Sequence, residues 1–153
     1  METIDSKTLD RSFRHDVAAR AGGENIGLCF ACGTCTACCP VSEIEPEFNP
    51  RKIIRQVLLG LRTETLASPM IWRCIQCYAC TAKCPQNVKF REIIRALREM
   101  AVAEGCADAS LQETVLEAGR MTLELRNRMM AEIAAGRRSL EDWRTKLNVD
   151  REG

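Results

Sequence analysis

The sequence predicts an all-α protein, and three observations carry that reading. Apolar residues recur at helical spacing through most of the chain, and no run shows convincing period-two alternation. Two helix starts are marked by a capping residue followed by proline, Asn49-Pro50 and Ser68-Pro69. Into this frame the chain sets ten cysteines, eight of them in two copies of one pattern. Cys29, Cys32, Cys35 and Cys39 are followed by Pro40; Cys74, Cys77, Cys80 and Cys84 are followed by Pro85. Each copy reads C-x2-C-x2-C-x3-C-P.

Taken in order, residues 5 to 20 are expected to form a helix with Leu9, Phe13 and Val17 on one stripe, ended by Ala21-Gly22-Gly23. His15, the only histidine, falls on its charged side and is read as solvated. After the first cysteine run, Glu43 to Phe48 reads as an acidic, irregular connector. Asn49 and Pro50 then open a helix whose apolar face is Ile53, Ile54, Val57, Leu58 and Leu61, with Gly60 near its end. Ser68-Pro69 restarts structure ahead of the second run. Residues 88 to 104 form the clearest helix: Phe90, Ile93, Ile94, Leu97 and Ala101 face one way, and Arg91, Glu92, Arg95, Arg98 and Glu99 mostly the other. Beyond Gly105, Ser110-Leu-Gln-Glu113 and Ser139-Leu-Glu-Asp142 each resemble a capping box. They flank a segment rich in Met, Leu and Arg that includes Met121, Met129 and Met130. The expected organisation is an N-terminal helix at 1–24, a core at 25–104 and a helical tail at 105–153 that packs on itself or docks a partner.

Bulk properties narrow the function. A net charge of +1 gives no electrostatic case for nucleic acid. The charged N-terminus has no apolar core of an export signal, so a cytoplasmic protein is expected and the cysteines point to metal rather than disulfides. Residues 25 to 42 carry no charge, but five cysteines, two glycines and a proline suit a wrapping loop rather than a membrane span. Residues 29 to 104 hold ten Lys or Arg against seven Glu, a local +3. Two oxidised [4Fe–4S] clusters, each with four thiolates, bring roughly −4. The basic excess therefore reads as compensation for clusters.

Three thiolates at successive three-residue steps wrap three corners of one [4Fe–4S] cube. In two-cluster proteins with this run, the fourth ligates the other cluster. The expected ligand sets are crossed: Cys29, Cys32, Cys35 and Cys84 on one cluster; Cys74, Cys77, Cys80 and Cys39 on the second. Small residues in the runs, such as Ala31, Gly33, Thr34 and Ala79, let backbone N–H groups approach the sulfides. Phe30, Ile71, Trp72, Ile75 and Tyr78 are candidates for an apolar shell, and Arg73 and Lys83 for cations that ease reduction. Zinc, which favours separated C-x2-C pairs, fits a triple followed by Cys-Pro poorly. Cys38 and Cys106 are left over. Pro40 stands where a CC-Gly catalytic motif needs glycine, and one histidine admits no Ser/His/Asp set. No catalytic residue is expected.

The two runs, the helical linker of 34 residues between them, Cys32-Gly-Thr-Cys35 and the stretch Cys74 to Pro85 resemble the C subunit of heterodisulfide reductase. The resemblance covers roughly residues 25 to 104. It implies an α-helical ferredoxin module, not the βαββαβ kind, and a non-catalytic electron-transfer subunit of an oxidoreductase of anaerobic metabolism. Electrons would come from a flavin and iron–sulfur protein like that family's A subunit. They would go to a catalytic protein like its B subunit, which reduces a disulfide. Iron–sulfur subunits of quinone-linked or fumarate reductase-like dehydrogenases share the module and give an alternative reading. A structural or assembly subunit with non-redox clusters gives another.

Overall fold

A computed structural model of the chain describes residues 9–149. Among them there is no strand, and the chain divides into two compact units, Met1–Ala109 and Ser110–Gly153.

The first unit is a set of short helices around one apolar core. Helix α1 spans Phe13–Ala18 and buries Phe13 and Val17. It is shorter than the sequence suggests, because the backbone before it is used elsewhere. The Asp10 N–H donates to Gly60 O at 2.8 Å, and the Asp10 carboxylate accepts from Ser12 N–H and Oγ at 2.8 and 2.7 Å. The rest of the expected helix, residues 5–8, lies outside the described residues. After α1 the chain turns at Gly22 (φ +88°) and Gly23, where a Cβ would lie 2.1 Å from Val17 O.

Helix α2 (Thr34–Ala37) lies within the first cysteine run, and α3 (Pro40–Ile44) follows with Pro40 at its first position. The connector expected to be irregular from Glu43 therefore begins inside a helix. It ends on Phe48, which is fully buried and meets Phe90 edge-on at 6.4 Å. Helix α4 (Pro50–Leu59) starts as the sequence indicates, with the Asn49 side chain accepting from Lys52 N–H, and ends on left-handed Gly60. Helix α5 (Arg62–Leu66) and a 3-10 turn at Pro69–Trp72, capped by Ser68, lead to α6 (Ala79–Lys83) in the second run. Helix α7 (Phe90–Ala103) is the spine of the unit and buries Phe90, Ile93, Ile94, Leu97, Met100 and Ala101. Each large apolar side chain so buried contributes about 1.5–3 kcal/mol. Arg98 is a correction to the expected polar face, since it is only 3% exposed. It lies one turn after Ile94, so the buried arc is wider than the apolar residues alone mark out.

Arg62 holds the N-terminal turn to the end of α7. Its guanidinium reaches Asp10 at 2.9 Å, Asp16 at 2.6 Å and Glu104 at 2.7 Å. These bonds, Glu104's first, keep Arg62 firmly protonated. Asp10 is held below the usual carboxylate range, first by the Ser12 hydroxyl and then by the Ser12 N–H and Arg62. A lowered carboxyl contributes stability that is present above its ordinary range and lost as pH falls, so this clamp weakens in acid.

The second unit consists of two helices. Helix α8 (Ala109–Ala134) begins one residue before Ser110, which is therefore inside the first turn and not its cap. None of its residues is buried. Helix α9 (Leu140–Leu147) does carry the expected capping box, with Ser139 and Asp142 bonded reciprocally. Trp143 is buried, with Arg138 and Lys146 over its ring at 5.1 and 5.0 Å.

The close approach at Gly60 yields a test. Its φ is +83°, and a Cβ there would stand 2.4 Å from Asp10 O. Gly60→Ala is expected to destabilise the first unit by more than about 1 kcal/mol, read as a lower urea midpoint of the anaerobically prepared chain; an unchanged midpoint would count against the Asp10–Gly60 contact.

Candidate metal centre

The two cysteine runs are related by an offset of 45 residues (74 − 29), and their backbones repeat the same two left-handed steps. Ala31 (φ 58°) matches Gln76 (φ 56°), and Gly33 (φ 85°) matches Tyr78 (φ 65°). Left-handed residues reverse the local coil, so the three cysteines around them can face a common point. Gly33 adopts this conformation freely. Tyr78 does so at a cost of about 1–2 kcal/mol, offset in part by the Arg91 guanidinium lying 4.3 Å over its ring. Each run then enters a short helix, and α2 packs against α6. The fourth cysteine of each run is extended just before proline (Cys39 ψ 116°, Cys84 ψ 119°), so its side chain leaves the local coil.

Cys39, from the first run, lines the same cavity as Cys74, Cys77 and Cys80 of the second. Val41, Pro50, Phe90, Ile75, Tyr78 and Arg91 form much of the remaining wall. Burial pushes the Cys74 thiol up, with Cys39 and Cys77 adding to the effect, and pushes Cys80 up to about 11. In the first run Cys35 is raised chiefly by burial and also by Cys29 and Cys32. Cys32, which is exposed, is lowered by its bond to the Thr34 hydroxyl and by the Thr34 N–H. Cys29, Cys35 and Cys84 are half-buried against the core. Asn25 Nδ2 donates to Asn87 O at 3.2 Å, which ties the approach to Cys29 to the turn after Cys84. Two backbone N–H groups already donate to sulfur, Gln76 to Cys74 at 3.4 Å and Val88 to Cys84 at 3.3 Å.

This donor set fits an iron–sulfur cluster. Thiols are the ligands such clusters take, and buried thiols give up their protons to the metal that replaces them. Among the described residues, no three His, Cys, Asp or Glu side chains close on a single ion. Arg91 Nε is buried with no hydrogen-bond partner, as is Thr81 Oγ1 beside Cys80. An inorganic sulfide is an acceptor of the kind that the Arg91 N–H lacks.

Several expected neighbours are placed differently. Phe30, Ile75 and Tyr78 are 60, 64 and 51% exposed, so they are not a sealed shell, although Ile75 and Tyr78 do line the cavity. Ile71 is buried and Trp72 half-buried. Val41, Pro50 and Phe90 supply the apolar wall, and their distance in sequence from the Cys74 run hid them. Lys83 is exposed and Arg73 pairs with Glu45 at 3.0 Å. The cations beside the second run are Arg91 and Arg98. Arg98 Nε donates to Ile71 O at 2.8 Å, and its Nη2 donates to Trp72 O at 3.1 Å and Cys74 O at 2.9 Å. The Cys38 thiol is half-buried and points to Cys35 O at 3.7 Å, while Cys106 and His15 are exposed.

Comparison with known proteins agrees with this geometry. Residues 28–89 match the family of 4Fe-4S dicluster domains, which places the chain among helical iron–sulfur proteins. The chain is 37% identical over 97 residues to the C subunit of the H2:CoB-CoM heterodisulfide,ferredoxin reductase of Methanothermobacter thermautotrophicus, covering 63% of this chain and 51% of that one. It is 45% identical over 82 residues to the C 2 iron-sulfur subunit of the CoB–CoM heterodisulfide reductase of Methanocaldococcus jannaschii, covering 54% and 43%. The C subunit of a ferredoxin:CoB-CoM heterodisulfide reductase of Methanosarcina acetivorans is 38% identical over 106 residues, covering 68% and 41%. Over this shared stretch the chain is similar to heterodisulfide reductase C subunits. It spans about half the length of the curated relatives it matches. No helix of the described residues is long and apolar enough to cross a membrane.

The left-handed position at Tyr78 predicts an ordered series. Tyr78→Gly relieves the backbone but forfeits the ring contact, and is expected to change stability by less than about 1 kcal/mol. Tyr78→Val, β-branched in the same conformation, should lose about 1–2 kcal/mol. Anaerobic urea denaturation of both variants checks the order; equal midpoints would contradict it.

Proposed function

We propose that the chain is the electron-relay subunit of a heterodisulfide-reductase-type complex and carries two [4Fe–4S] clusters. The observation that supports this best is Cys39 in the cavity of Cys74, Cys77 and Cys80. A fourth ligand drawn from the other run makes two cluster seats neighbours by construction, and neighbouring clusters suit electron transfer. In this reading Cys39, Cys74, Cys77 and Cys80 hold one cluster and Cys29, Cys32, Cys35 and Cys84 hold the second.

When bound, the clusters accept and release single electrons without making or breaking a substrate bond. The protein holds them in place, excludes water with Val41, Pro50 and Phe90, and offsets their negative charge with Arg91 and Arg98. The chain itself has no catalytic residue in this account. Electrons enter from a flavin and iron–sulfur partner of the A-subunit kind and leave to a disulfide-reducing partner of the B-subunit kind. The second unit supplies a docking surface: Leu116, Met121, Leu123 and Met130 of α8 are exposed, and methionine adapts well to a partner's contour.

Two experiments test this reading. Cys39→Ser is expected to lower the iron content of the anaerobically purified chain, whereas Cys38→Ser, outside the cavity wall, should leave it unchanged; the reverse pattern would make Cys38 the ligand. Anaerobic co-purification of the tagged chain from its source should bring down a flavoprotein and a cysteine-rich partner, and the cluster signals of that complex should rise and fall with turnover. Clusters that stay oxidised during turnover would end the relay reading in favour of a structural role.

A further inference from the structure

We propose that Arg98 makes the cluster at the Cys74 loop the more readily reduced of the two, and so the downstream stop of the relay. This rests on the two-cluster reading above and adds an order to it. Four observations carry it. The Arg98 side chain is 3% exposed, inside the core under the Cys74 run. Its donors go to the carbonyls of Ile71, Trp72 and Cys74, and its guanidinium lies 5.5 Å from the Trp72 ring centre. Carbonyls and a ring face are dipoles and quadrupoles, which hold a cation without cancelling its charge. Among the described residues no carboxylate pairs with it, unlike Arg62, Arg73, Arg91 and Arg95.

A buried cation with no countercharge is costly unless something negative lies nearby. A cluster with four thiolates is such a group, and Cys74 is where Arg98 touches its seat. Reduction adds one electron, and so one negative charge, taken from a one-electron donor, and no bond forms or breaks. Away from water that added charge interacts strongly with a fixed cation, so reduction is favoured. The cations near the first run differ in kind. Arg51, Lys52 and Arg55 are all exposed, and water and salt screen them. Under the crossed ligand sets each cluster receives one backbone N–H on sulfur, at Cys74 for one and at Cys84 for the other, so those bonds do not set the order.

The alternative role for Arg98 is a strut that only fixes three carbonyls, and potentials separate the two. In an EPR-monitored redox titration of the holo chain, Arg98→Gln, which removes the charge but keeps an amide donor, should lower one midpoint and leave the other in place. Arg98→Lys, which keeps the charge and loses the forked geometry, should hold that midpoint near the wild-type value. Equal drops in both variants, or no drop in Arg98→Gln, would overturn the proposal. The order can also be read without touching Arg98, should that variant fail to hold iron. Cys77→Ser marks the cluster of the second run by changing its signal, and Cys32→Ser marks the first. The Cys77-marked cluster is expected to be the first reduced as the potential is lowered, and the opposite order overturns the inference. Adding Cys39→Ser to the set isolates the ligand reading: if it marks the same cluster as Cys32→Ser, the crossed ligand sets fail, while the order of midpoints still decides the role of Arg98.

Discussion

The contact on which the first unit depends is the one between its two cysteine loops. Eight thiols cannot be held by loops of a dozen residues unless something fixes the loops to each other, because short helices such as α2 and α6 are too brief to be stable alone. Here α2 and α6 pack together, α7 underlies the second loop, and Cys39 crosses to the far loop's cavity. The rest of the unit follows from that need. Phe90 lines the cavity's apolar side and is backed edge-on by Phe48, Asn49 ties Thr36 and α4 together, and the Arg62 clamp holds the N-terminal turn against the end of α7.

Electrostatics organises the same region. Two kinds of positive side chain in this unit stand out, those paired with carboxylates and those placed at the cysteine loops. Arg62, Arg73 and Arg95 are of the first kind and act as fasteners. Arg98 is of the second kind, and Arg91 has a foot in each, bonded to Glu92 and Gln76 while it lines the cavity. The local excess of basic residues in the sequence is thus distributed by burial rather than spread evenly, and this gives the two loops different surroundings despite their matching backbones.

Much of this was legible in the sequence, for physical reasons that differ by feature. The cysteine spacing, the Asn49-Pro50 and Ser68-Pro69 starts, the Ser139 capping box and the apolar stripe of α7 are local signals, and each appears where it was expected. The surroundings of the thiols were not legible, because they come from distant residues. Exposed Phe30, Ile75 and Tyr78 sit beside cysteines in sequence but only partly beside them in space, whereas Val41, Pro50 and Phe90 reach the cavity through the fold. Arg98 was missed because polarity suggested an outward face. Ser110 resembled a cap, but the helix starts one residue earlier, just after Asp108, which is itself a capping residue type.

The exposure of the middle cysteine in each run has a further consequence. Cys32 and Cys77 are the two exposed members of the two sets, while their neighbours are half-buried or buried. With the proposed ligands in place, each cluster would present one corner to the surroundings and keep the others inside the protein. That corner is the shortest path for an electron from a docked protein, and equally the first point that dissolved oxygen reaches. Access for a redox partner and vulnerability to air are then the same property of the surface, and a partner that covers these corners would shield the clusters by the same contact through which it exchanges electrons.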